Sequence, residues 1–257
     1  MSAKRGTQRG PIRIVPLRRP SGVAAPAPAP ARAPTAALTY RGGSVLAAVQ
    51  PVAVFWGTAW RDAAQQNTLQ ALNSFLQFVV ASPYLDQLAE YSTPKQAIGR
   101  GRFGGTAVVT DSAPGTSLPD SAIQQMLDQQ VSSKAFPAAT PNTVYFVFLP
   151  PGVTVVAGSD RSCQAFCGYH ERSSAGLYYA VVPYPNCTGC LADLSAIDAL
   201  TSVCSHELAE AITDPVPGQG WYDDANGEIG DVCAWQNKTL GDYTVQLLWS
   251  NRAKACV

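Results

Sequence analysis

The sequence predicts an α+β fold in which helices pack on one side of a mixed sheet. Apolar residues recur at helical spacing in residues 61–80 (Leu69, Leu72, Leu76, Val79) and in residues 191–215 (Ile197, Leu200, Cys204, Leu208, Ala211). Unbroken β-branched and aromatic runs of strand length stand at residues 143–149 and 176–182. Strands and helices are interspersed without strict alternation, and no repeat unit recurs. The expected frame is a mixed sheet with two long helices and an irregular, Cys-rich C-terminal part.

Residues 1–38 precede that frame. Ala/Pro alternation over residues 22–37 lacks the apolar segment of a secretory signal peptide. It predicts a disordered, polyproline-like, basic leader over residues 1–38, followed by a single domain over residues 39–257. Residues 44–56 read as a strand pair broken by Pro51. The amphipathic helix of residues 61–80 follows and stops before Pro83. Residues 82–91 add a short helix and residues 106–110 a strand. Ile123, Leu127 and Val131, spaced by four, mark a helix over residues 117–131, with Pro119 near its first turn. Residues 143–149 are a buried central strand. Residues 176–182 form another, closed by Pro183. The helix of residues 191–215 opens with Ser195-x-x-Asp198, a capping-box pattern with Asp replacing Glu or Gln, and ends at Pro215. Beyond residue 221 the pattern is short strands and turns, anchored by Trp221, Tyr222, Trp235, Tyr243 and Trp249.

Charge is unevenly placed. The first 40 residues hold seven of the 18 basic side chains and none of the 18 acidic ones, so a basic leader offsets an acidic body. An acidic body argues against nucleic acid as partner, because phosphate binding needs a basic surface. No apolar run approaches the roughly 18 residues of a membrane span. All seven cysteines lie after residue 160, and the odd number leaves at least one unpaired. They read either as disulfides in an oxidising compartment or as a zinc knuckle from Cys163-x3-Cys167 and Cys187-x2-Cys190 with His170 as a spare ligand. The x3 spacing suits a structural zinc site poorly, which favours disulfides. The sequence does not assign the pairs.

The chemistry concentrates in His206-Glu207-Leu208-Ala209-Glu210. Helical residues four apart differ by about 40° and face one way. His206 and Glu210 can therefore reach one cation, and Glu207, about 100° further round, can hold a water beside it. This is the logic of H-E-x-x-H zinc hydrolases, with the intervening Glu as general base. Glu in the second ligand position adds charge and hardness. Zn²⁺ remains acceptable, and Ca²⁺, Mn²⁺ and Fe²⁺ become so. Glu228 and Asp231 are the expected completing ligands. Asp214 stands behind them, and His170 is an outside candidate. Such a string can arise by chance on a solvent-facing helix, and His170 reads more simply as a structural histidine. Against chance stand two features: the chain has only two histidines, and Asp214, Asp223, Asp224, Glu228 and Asp231 crowd behind the motif in a chain only 14% charged.

The residues also carry a resemblance. Tyr40-Arg-Gly-Gly43, residues 52–57, Cys167-Gly-Tyr-His170, Cys187-Thr-Gly-Cys190, residues 205–215, Trp221-Tyr222, Glu228-Ile-Gly-Asp231 and Leu248-Trp249 through Cys256-Val257 resemble the phosphate-induced protein 1 / EXORDIUM family. The similarity is closest to its bacterial and fungal branch that keeps an H-E-x-x-E helix. The resemblance implies a secreted or cell-wall protein with disulfides, and no established enzyme activity. The order of elements is also similar to the zincin metallopeptidases. Both methionines precede the motif helix, so there is no Met-turn and the metzincin branch does not fit. Two functions follow as expectations. One is a zinc-dependent hydrolase of peptides or proteins, in which His206 and Glu210, with Glu228 or Asp231, hold the metal and Glu207 is the catalytic base. The other is a non-catalytic extracellular binding protein with a structural ion or none.

Overall fold

A central strand of six residues, Thr143–Phe148, is buried along its whole length. Burial on both faces is characteristic of parallel strands covered by layers above and below, and the rest of the fold follows from it. The structure, a computed structural model, describes residues 15–17 and 36–257. The strands of its main sheet are β1 (Val15–Pro16), β2 (Gln50–Trp56), β3 (Gly105–Val109), β4 (Thr143–Phe148), β5 (Phe166–Arg172) and β6 (Tyr178–Val182). They lie in the order β1-β5-β6-β4-β2-β3. The pairs β2/β3, β2/β4 and β4/β6 are parallel, while β5 runs antiparallel to β6 and β1 antiparallel to β5.

Helices cover both faces, not the single face expected. On one face, α1 (Ala63–Val79) and α4 (Ala196–Thr213) share a core with Phe55, Phe146, Phe148 and Ala180. On the other, Ile123, Met126 and Leu127 of α2 (Asp120–Ser132) pack with Val54, Tyr145, Val147 and Tyr179. The parallel strands are apolar on both faces, so one helical layer would have left the second face wet. Asp120, at the start of α2, pins that layer. Its Oδ1 accepts hydrogen bonds from the hydroxyls of Tyr169 on β5 and Tyr179 on β6, both at 2.7 Å.

Other expectations shift in detail. Residues 44–49 form no strand, and Pro51 sits inside β2. It is tolerated there because pairing with β3 begins only at Val52. Ser117–Pro119 is a short strand, so α2 begins after Pro119. The sequence reading had no strand at residues 166–172, where β5 stands. The leader expectation falls mostly outside the described residues. Within them, Val15–Pro16 is paired to β5, and Val15, Ala36 and Leu38 are buried.

Helix α4 carries the motif. Its N-cap Ser195 accepts the Asp198 amide as expected. From Ala199 to Thr213 every residue is buried. The sheet covers one side. The hairpin Asn237–Leu240/Tyr243–Gln246 covers another, with Thr201 Oγ1 donating to Thr244 O at 2.8 Å and Ser205 Oγ accepting the Gln246 amide at 2.9 Å. The polar residues of that flank are thus buried with partners.

The cysteines form three disulfides: Cys163–Cys187, Cys167–Cys190 and Cys233–Cys256. Cys204 is free and buried. The four sulfurs of the zinc-knuckle alternative are therefore spent on two bridges. Both tie the start of β5 to the segment around the short helix α3 (Thr188–Leu191). Among the described residues no helix is long and apolar enough to cross a membrane.

Candidate metal centre

Three elements converge on the C-terminal half of α4. The helix supplies His206, Glu207 and Glu210. Strand β5 supplies His170. The turn leading into Asp231–Cys233 supplies Glu228 and Asp231. That turn is held from outside: Gln246 Nε2 donates to Gly230 O at 2.9 Å, and the Trp249 amide donates to Ile229 O at 3.1 Å. It also holds itself, with Asp231 Oδ2 accepting the Glu228 amide at 3.0 Å.

The i,i+4 pair meets as its spacing requires, with His206 Nε2 2.9 Å from Glu210 Oε1. Asp231 Oδ1 lies 3.9 Å from the same nitrogen, and the Asp231 amide donates to Glu210 Oε1 at 3.1 Å. His206, Glu210 and Asp231 offer ligand atoms all within 4.8 Å of one another. So do His170, Glu210 and Glu228. The expected ligands are all present, but they divide into two groups that share Glu210. His170, ranked last by sequence, stands inside the cluster.

Each remaining candidate has a definable position. Glu207 Oε2 is 3.2 Å from His170 Nδ1, and Glu207 Oε1 has no hydrogen-bond partner. His170 Nε2 is 3.1 Å from the Asp214 carbonyl oxygen. A carbonyl only accepts, so Nε2 carries the proton and the Nδ1 edge faces Glu207 and Glu210. An N–H fixed to a backbone carbonyl is how ligating histidines are commonly oriented. Asp214 itself is occupied. Its carboxylate accepts the amides of Gly218, Gln219 and Gly220 at 2.6, 3.0 and 2.5 Å, closing the turn after the helix. It stands outside both groups.

The cluster is buried and rich in carboxylates. His206, Glu207 and Glu228 have no exposed surface, and His170 and Glu210 almost none. Only Asp231 reaches solvent, with its side chain 19% exposed. Five of the nine buried side-chain polar atoms without a hydrogen-bond partner, among the described residues, lie here: both nitrogens of His206, Glu207 Oε1 and both oxygens of Glu228. Burial pushes Glu228 well above the usual carboxylate range and Asp231 up to about 7. Burial also opposes charge on His206, but Glu210 outweighs it and raises the imidazole to about 10. Glu210 falls to about 2 because His206 and His170 outweigh its own desolvation. Apart from Glu210, the groups hold protons more tightly than in water. For the carboxylates the main cause is burial, for the histidines the neighbouring carboxylates outweigh burial, and a cation would replace those protons.

Two glycines make the close packing possible, and sequence reasoning passed over both. A Cβ on Gly230 would lie 2.7 Å from His206 Nδ1. A Cβ on Gly168 would lie 2.6 Å from Val203 Cγ1 and 3.0 Å from Glu207 Oε1. Gly168 falls within the Cys167-Gly-Tyr-His170 string, the one sequence signal that could have drawn β5 toward the motif. No family model matches the chain significantly, and no curated protein or solved structure does so either.

Proposed function

We propose that this chain is a metal-dependent hydrolase acting on peptide or ester bonds, with His206, Glu210 and Asp231 holding a divalent cation. The observation that carries the reading is the 2.9 Å approach of His206 Nε2 to Glu210 Oε1 beside Asp231, in a buried cluster where the imidazole makes no hydrogen bond of good geometry. Unpartnered buried imidazole nitrogens are costly unless something is bound to them. Imidazole with two carboxylates is an ordinary donor set for Zn²⁺, and it also admits Mn²⁺ or Fe²⁺. Once bound, the cation supplies Lewis acidity toward a water and a carbonyl. Glu207 then acts as general base, taking the proton at its free Oε1, while its Oε2 is turned toward His170 at 3.2 Å. Substrate approaches past Asp231, the one member of the cluster that meets solvent. Strand β5, antiparallel to its neighbours and packed beside the motif helix, supports the zincin-like reading. Three disulfides support an oxidising, extracellular setting.

Burial favours a second reading, in which the cation is structural in a secreted binding protein of the EXORDIUM type. One set of measurements divides the two. Purified protein is assayed for bound metal, for chelator-induced loss of thermal stability and for turnover of a broad peptide and ester panel. The hydrolase reading expects turnover that Glu207→Gln abolishes while the metal stays bound. Equal turnover by Glu207→Gln sinks the role of Glu207. Metal without turnover by the native protein leaves the structural reading.

A further inference from the structure

The first cation leaves part of the cluster unexplained. Both oxygens of Glu228 remain without a hydrogen-bond partner and without solvent. His170 Nε2 comes no nearer than 3.6 Å to Oε1, and a buried carboxylate without hydrogen bonds is among the least favourable groups a protein interior can hold. Glu228 does not belong to the His206 group; it belongs with His170 and Glu210. We propose that the centre is dinuclear, with a second divalent cation held by His170, Glu210 and Glu228, and with Glu210 bridging the two ions. The inference rests on the first metal site described above and adds a second to it.

The geometry of Glu210 is that of a bridge. Its Oε1 faces His206 at 2.9 Å, and its Oε2 faces His170 Nδ1 at 3.6 Å. The histidines therefore lie on opposite sides of one carboxylate. Nε2 of His170 donates to the Asp214 carbonyl and lies 3.6 Å from Glu228 Oε1, which leaves Nδ1, facing Glu210, as the ring's ligand atom. The charges also balance. Glu207, Glu210, Glu228 and Asp231 bring four negative charges when ionised, and two divalent ions match them with neutral histidines. A single ion matches only two of the four. Carboxylate-linked pairs of ions sit about 3.5–4 Å apart in known two-metal sites, a spacing one bridging carboxylate allows. The Cys163, Cys187 and Cys190 group is not a rival, because its sulfurs are bound in disulfides.

The test uses the full chain, stripped of metal and titrated with Mn²⁺. Calorimetry is expected to show two equivalents. Electron paramagnetic resonance is expected to show the exchange-coupled spectrum of neighbouring Mn²⁺ ions. Glu228→Gln should bind one equivalent with an uncoupled signal. Glu210→Gln should weaken both sites by more than the roughly 10–100-fold that loss of an outer partner costs. Saturation at one equivalent, or two equivalents with no coupling, overturns the dinuclear centre and leaves the mononuclear hydrolase standing. No uptake at all overturns both. The native spectrum requires no variant, so a Glu228→Gln protein that fails to fold does not rescue the idea.

Discussion

Gly230 shows how closely this centre is built. Its backbone lies against the His206 ring, and a methyl group there would fall 2.7 Å from Nδ1. The backbone φ at Gly230 is −80°, so the requirement is for space and not for a left-handed conformation. Gly230→Ala must therefore move the imidazole or the turn that carries Glu228 and Asp231. The expected result is a loss of roughly 1–3 kcal/mol of stability, the usual cost of overpacking, together with weakened metal uptake. Thermal melts with and without Zn²⁺ check it. A variant that binds metal as the native chain does would show that the turn is free to shift. The meeting of His206 with Glu210 was legible, because i and i+4 on a helix fix a shared direction whatever the surroundings. The partition of Glu228 from Asp231 was not, since it depends on a turn held by Gln246 and Trp249 from elsewhere in the chain. The place of His170 was hidden for a related reason: only strand pairing brings it under α4.

At the level of elements, the stability of the centre depends on what fastens β5 and the final turn. Asp120 Oδ1 is the shared acceptor for Tyr169 and Tyr179. Asp120→Ala takes the acceptor from two buried hydroxyls, of which Tyr179 keeps only the Gln124 amide, at about 1–3 kcal/mol each. Tyr179→Phe removes one donor and leaves the acceptor served by Tyr169, so its cost should be clearly smaller. Denaturant unfolding of the two variants tests that order. The disulfides divide in a similar way. Cys163–Cys187 and Cys167–Cys190 close nearly the same loop, so losing one leaves most of the constraint in place. Cys233–Cys256 has no such duplicate, and it begins two residues after Asp231. Replacing both of its cysteines by serine should cost about 3 kcal/mol in the chain-entropy account and lower metal affinity as well. Removing Cys163–Cys187 should lower the melting temperature with much less effect on metal. Isothermal titration of the two mutants separates the effects. Helices α1, α2 and α4 were readable because their apolar periods are long and regular. Strand β5 was not, because Phe166–Arg172 interleaves Gly168 and charged ends with its buried residues, and only its neighbours make it a strand.

Across the whole molecule, the parallel core was written in the unbroken apolar runs of β4 and β6. The second helical layer was missed, although such unbroken runs mark strands buried on both faces. The leader carries a different lesson. Its composition suggests a chain with no place in the fold, yet Val15–Pro16 completes the sheet beyond β5, and Pro16 O accepts a hydrogen bond from Trp235 Nε1 at 2.8 Å. Val15 lies opposite Gly168, whose other flank meets Glu207. These few residues act as a sheath. Trimming the first 35 residues would strip it away and bare a row of idle amides and carbonyls along β5, which invites another copy to stack alongside. Sedimentation velocity on trimmed and intact protein should then find a concentration-dependent dimer only in the trimmed form.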